Sequence, residues 1–261
     1  MTKYALRFVA LFYLAFLLII PVGLIFWRTF SHGFGPFWDS ITEPEAIHAL
    51  KVTLQVALLA TACNTVFGVI VSLLIVRREF PGKRVLNLLI DLPLAISPVV
   101  VGLSLVLVYG RLTPVGEWFS GRGVNIMYAL PAMVMATVFV SLPLVVREVI
   151  PVLEEIGTDQ EQAASTLGAS ALQTFRRITL PSIRWALAYG IVLTLARCLG
   201  EYGAVAVVSG RIKGQTQTLT LLVDQRFENF DRSGAYSVAV LLAMIAILAM
   251  LVLTILRPKE T

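Results

Sequence analysis

The chain has 261 residues, 57% of them hydrophobic and 14% charged, with a mean hydropathy of +0.84 and a net charge of +5. Soluble domains carry roughly 45–50% apolar residues, so this composition excludes a soluble globular enzyme and points to a polytopic membrane protein. The surplus positive charge sits in clusters at the ends of apolar runs, where orientation signals sit, which sets aside a nucleic-acid-binding face.

The first apolar span, at about 8–27, follows Lys3 and Arg7. It is longer than the roughly 7–15 residues of a signal-peptide core and ends in Ile25-Phe26-Trp27 instead of small residues, so it is expected to stay as an anchor. Residues 28–51 hold Asp39, Glu43 and Glu45 beside Phe34, Phe37 and Trp38, which suits an outer interfacial stretch, with His32 and His48 as solvated loop residues rather than metal ligands. A second span at about 52–76 ends in Arg77 and Arg78, and Lys83 and Arg84 follow at once. This short basic loop marks the cytoplasmic side and places the N-terminus there as well.

A third span at about 85–109 contains Asp91, Pro93 and Ser97-Pro98. Asp91 lies near the cytoplasmic end, where a carboxylate can snorkel, and a helix-end role is favoured over an ion pathway. The prolines free backbone carbonyls, so a kink facing a cavity is expected. Residues 110–125, with Arg111, Glu117 and Arg122, are read as an outer loop; a fourth span at about 126–146 returns through Pro131 and Pro143 and finishes at Arg147-Glu148. Cys63 and Cys198 both fall in apolar runs and are expected to be buried small hydrophobes, since their spacing suggests neither zinc nor a disulfide.

Residues 158–181 form the one long segment between spans that looks built to dock on something else. Thr158 and Glu161 have capping-box spacing, Ala163, Ala164 and Leu167 follow, and Gly168 supplies a left-handed stop. Ser170 and Gln173 repeat the box, Ala171, Leu172, Phe175 and Ile178 form an apolar stripe, and Pro181 is expected to end the second helix. The result is a compact knob of two short helices. A DNA-binding helix-turn-helix has the same outline, but spans of membrane length flank this one.

A fifth span at about 183–208 carries Arg197 and Glu201, four residues apart on one helical face. Charges inside a membrane are costly, so the pair is either functional or a structural fastener. Gly200, Gly203, Ala204 and Ala206 allow close approach of another backbone. Residues 209–233, with Arg211, Lys213 and the hydroxyls of Thr216, Thr218 and Thr220, are read as a polar outer segment. A sixth span at about 235–256 ends in Arg257 and Lys259, giving both termini on the cytoplasmic side.

Gln162-Ala163-Ala164, three residues, Gly168, nine residues and Ile178-Thr179-Leu180-Pro181 resemble the EAA loop of ABC-importer permeases, whose form is E-A-A, three residues, G, nine residues, I-x-L-P. The family's glutamate is Gln162 here, with Glu161 one place earlier. The runs Asp91 to Val100, Arg147 to Val152 and Arg197 to Gly210 extend the likeness to nearly the whole chain, and it is similar to the CysW-type permease subunits of sulfate/thiosulfate ABC importers.

The resemblance implies an all-α type I importer permease, a single domain over residues 1–261 in the plasma membrane. Its cytoplasmic coupling loop, with Glu161, Gln162, Ala163, Ala164, Leu167, Gly168, Ile178, Leu180 and Pro181, is expected to engage an ABC ATPase dimer. It also implies a sister permease and an external sulfate-binding protein. Arg197 and Glu201, with Ser97 and Pro98, are the candidate anion pathway or gate. No G-x-x-x-x-G-K-[ST] phosphate loop occurs in the sequence, so ATP and magnesium are expected on the partner ATPase and no cofactor, metal or catalytic residue on this chain. A molybdate or tungstate permease is the alternative, and a membrane enzyme or a lone secondary transporter would leave the loop unexplained.

Overall fold

The structure, a computed structural model, describes residues 2–31 and 33–256. His32, Arg257, Lys259 and the side chain of Lys3, all weighed in the sequence, lie outside the described residues.

The described residues are helical, with no strand among them. In chain order the helices are α1 (Tyr4–Phe30), α2 (Phe34–Thr42), α3 (Pro44–Arg77), α4 (Lys83–Ala95), α5 (Pro98–Tyr109), α6 (Pro114–Ser120), α7 (Leu130–Ile156), α8 (Asp159–Thr166), α9 (Ala171–Leu199), α10 (Gly203–Val208), α11 (Leu219–Glu228) and α12 (Arg232–Leu256). Five of them, α1, α3, α7, α9 and α12, are long and apolar enough to cross a membrane, and α4 with α5, bent by 111° at their junction, passes the same test only as a pair.

The bend is sharper than the proline kink expected. Pro93 lies inside α4 without breaking it, whereas Ile96 and Ser97 are extended and Pro98 restarts the helix. A proline disfavours helical backbone in the residue before it, so Ser97-Pro98 is where the turn falls. The fifth span is broken too: α9 ends at Leu199, and α10 begins at Gly203 after Gly200, Glu201 and Tyr202.

At the centre α3, α7 and α9 pack against one another. Apolar burial drives little between helices in lipid, so close approach must come from small residues. They are Gly68 of α3, where a Cβ would lie 2.7 Å from Val145 Cγ1, and Gly190 of α9, where it would lie 3.2 Å from Val145 Cα. Hydrogen bonds join the same helices: Asn64 Nδ2 donates to Ser141 Oγ (2.8 Å) and to the Val138 carbonyl (3.1 Å), and the Cys198 thiol lies 3.3 Å from Ser141 Oγ. Cys198 is buried as expected, but Cys63 is exposed on the outer flank of α3.

Three further expectations need correction. His48 belongs to the start of α3 and is half-buried, not a solvated loop residue, because α3 begins eight positions earlier than its apolar run. Thr216 and Thr218 are buried and Thr220 is half-buried, since α11 folds back and seats Leu219 and Leu222 against Ala46 and Ala49 of α3. Pro181 does not end a helix: α9 runs through it, with a π turn at Phe175–Thr179 just before. A wider turn there absorbs the hydrogen bond that a proline nitrogen cannot donate.

Candidate functional site

One candidate region is the end of the bundle that carries α8. The helix spans eight residues, buries none of them, and lies between two glycines with positive φ, Gly157 (62°) and Gly168 (83°). A Cβ at Gly168 would meet nothing within 4 Å, so glycine is required there by backbone conformation and not by space. The capping box at Ser170 and Gln173 forms as expected, but the one at Thr158 does not. Instead Gln162 Nε2 donates to Thr158 Oγ1 (2.8 Å), while Glu161 turns inward.

Glu161 accepts from Thr179 Oγ1 at 2.8 Å and from Arg77 Nη2 at 3.3 Å, with Arg77 Nε 3.0 Å from its second oxygen. An ion pair formed with a residue 84 positions away has outcompeted a local cap. Ala163, Gln162 and Leu167 remain exposed, Leu167 at 87%, and across the elbow Leu172 is 65% exposed with Arg176 and Arg177 beside it. Ile178 and Leu180 are half-buried and Ala164 faces the elbow. Two bare leucines with Arg176 and Arg177 nearby make an exposed apolar patch with basic neighbours, the composition of a protein-docking surface.

The second region lies where the α4–α5 break meets the α9–α10 break. A Cβ at Gly203 would lie 3.1 Å from Pro98 Cβ, and one at Gly102 would lie 2.8 Å from the Ala204 carbonyl, so α5 and α10 pack through glycines. Arg197 and Glu201 do pair, Nη1 to Oε2 at 2.7 Å, but not as neighbours on one helix. Glu201 sits in the break, where its other oxygen accepts the Ala204 N–H (3.0 Å) and its own carbonyl accepts from Thr220 Oγ1 (3.0 Å). Its side chain is 3% exposed, whereas that of Arg197 is 40% exposed. The carboxylate thus serves the fold, and the guanidinium is the accessible partner. Ser97 is exposed at the facing break.

Sequence reasoning missed several participants. Tyr202 OH donates to Asp224 Oδ2 (2.8 Å), and Arg211, with a φ of 53°, reaches both Asp224 (3.0 Å) and the Tyr202 hydroxyl (3.2 Å). Asp91 is paired bidentately with Arg147 of α7, so its helix-end role is to tie α4 to α7. Arg77 was legible only as an orientation signal. Nothing in the spacing of these residues announces pairs that only the packing creates.

Residues 64–261 match the family described as "Binding-protein-dependent transport system inner membrane component". The chain belongs to that family. As an inner membrane component it is 45% identical over 257 residues to the sulfate transport system permease protein CysW of Synechocystis sp., covering 98% of this chain and 93% of that one. It is 35% identical over 230 residues to the sulfate transport system permease protein CysT of Salmonella typhimurium, covering 88% and 83%. Its fold matches a chain of a bacterial alginate ABC transporter crystallised with its pentasaccharide-bound periplasmic protein, with a TM-score of 0.79 at 19% identity over 97% of this chain and 92% of the other. The fold is therefore that of type I ABC importer permeases, and the chain is a multi-pass membrane protein.

Proposed function

We propose that this chain is the CysW-type permease subunit of an ATP-driven importer that carries sulfate or thiosulfate across the plasma membrane. The similarity to CysW proteins over nearly the whole of both chains carries this reading. It also favours sulfate over molybdate or tungstate. Stronger identity to CysW than to CysT supports a heterodimer in which this chain takes the CysW place and a CysT-type sister takes the other. The whole chain acts as one permease domain.

The exposed elbow around Leu167 and Leu172 is the coupling surface for a cytoplasmic ABC ATPase dimer, which binds the ATP and magnesium. An external binding protein delivers the anion at the opposite face, and both termini lie on the cytoplasmic side. Arg197 lines the anion path beside the Ser97-Pro98 break, with Glu201 holding its guanidinium. Uptake of radiolabelled sulfate by the intact complex, competed by thiosulfate but not by molybdate, is the expected result; competition by molybdate alone would transfer the assignment. For orientation, cysteines engineered at Gly121 and Gly214 should react with an impermeant reagent in intact cells and one at Gly168 should not. The reverse pattern would remove the ATPase from the loop.

A further inference from the structure

An eight-residue helix that buries nothing and hangs between two left-handed glycines has no stiffness of its own. If α8 receives a push from a partner, something must carry that push into the membrane helices, and among the described residues Glu161 makes its polar ties to them. Its carboxylate holds Thr179, which is buried in the π turn of α9, and Arg77, the last residue of α3. Arg77 in turn donates from Nη1 to the Leu153 carbonyl (3.0 Å), one of the last four carbonyls of α7, which the helix itself leaves without a partner. Charge adds to the geometry, with the carboxylate in the first turn of α8 and the guanidinium at the end of α7, each the sign the local helix dipole favours. The side chain of Arg77 is only 13% exposed, so this ion pair is shielded from screening.

We infer that Arg77, Glu161 and Thr179 form the transmission joint of the coupling helix, making α8 move as one body with the ends of α3, α7 and α9 instead of swinging on Gly157 and Gly168. Arg77 and Glu161 are then positioning residues for transport, and Glu161 is no contact for the ATPase. This rests on the reading of the elbow as a coupling surface. π turns occur often at functional sites, and here the turn at Phe175–Thr179 places the third member of the joint where the docking segment becomes a membrane helix.

The test uses the transporter purified with its partner subunits and reconstituted in vesicles. Spin labels at Glu155→Cys and Ser165→Cys, in a Cys63→Ala background, report the distance between α7 and α8. In Arg77→Gln and in Glu161→Gln that distribution should broaden while sulfate moved per ATP falls about fivefold or more, the low end of typical coupling effects. The exchange Arg77→Glu with Glu161→Arg should narrow the distribution and recover part of the ratio, not all of it, because a glutamate cannot donate to the Leu153 carbonyl. Thr179→Val removes one hydrogen bond at equal volume and serves where a charge variant fails to assemble; it should give a smaller shift in the same direction. An unchanged distance distribution in these variants overturns the joint, as does a broadened one with wild-type sulfate per ATP. Failure of the unmodified complex to move sulfate would instead overturn the functional reading, while the distance measurement still decides the joint.

Discussion

Glu161 and Glu201 invite comparison because each accepts from one arginine and from one second donor, yet they are built in opposite senses. At Glu161 the arginine is sealed at 13% exposure and the carboxylate is the more open partner at 22%; at Glu201 the carboxylate is sealed at 3% and the arginine is open at 40%. Arg77 divides its donors between Glu161 and the Leu153 carbonyl. Arg197 gives one of its five N–H groups to Glu201, and its side chain is otherwise the open partner of the pair. The same pair of residue types is therefore a fastening at one level and a held, available cation at the other. The two lie about 25–30 Å apart along α3, judged from the Ala57 and Ala60 contacts of Cys198 and Leu199.

The largest expected effects fall on the buried carboxylate. Arg197→Met leaves Glu201 unpaired in low dielectric, at a cost of about 3–5 kcal/mol, and the subunit should be depleted from the membrane. Glu201→Leu leaves a half-exposed guanidinium that can still reach polar surroundings and chiefly loses the cap on the Ala204 N–H, about 1 kcal/mol, so it should be the milder single variant. Combining the two removes both charges and should restore abundance but not sulfate uptake. Normal uptake by the double variant would make Arg197 a fastener like Arg77 and abolish the contrast.

A smaller effect is expected at Gly168, where strain replaces charge. A β-branched residue held at a φ of 83° costs about 1–3 kcal/mol, and Gly168→Val should misplace the elbow and lower transport about tenfold at unchanged abundance. Asparagine tolerates left-handed backbone, and there is open space around the position, so Gly168→Asn should keep most of the activity. Equal loss in both variants, measured as substrate-stimulated ATP hydrolysis, would mean that the elbow needs a bare backbone for docking and not a left-handed turn.

What could be read from the sequence divides along the same physical line. Spans, the Gly168 turn and the Ser170 cap were legible because hydropathy, backbone conformation and capping are local properties. Four-residue spacing brought Arg197 and Glu201 together for an incomplete reason, since Gly200 and Glu201 leave the helix and the pair closes across a break. The fold-back of α11 was hidden because Thr216, Thr218 and Thr220 look solvated, while their burial depends on Leu219 and Leu222 finding α3. Arg77 with Glu161 and Asp91 with Arg147 join residues 84 and 56 positions apart, and no local pattern encodes such partners.

The smallest effect is expected at Gln162, where the family motif has glutamate. The side chain is exposed and, among the described residues, bonds to Thr158 Oγ1, which can donate to a carboxylate as readily as it accepts from an amide. A negative charge in the first turn of α8 gains about 0.3–1 kcal/mol from the helix dipole, partly offset by Glu161 next door, so Gln162→Glu should leave uptake within about twofold of the unmodified protein. Its value lies in combination with Glu161→Gln. The pair of changes preserves the charge of α8 but moves the carboxylate one residue, about 100° around the helix and away from Arg77. If position as well as charge makes Glu161 a fastening, that double variant should transport no better than Glu161→Gln alone; recovery to the unmodified rate would show that any acid in the first turn suffices and that the Arg77 contact is incidental.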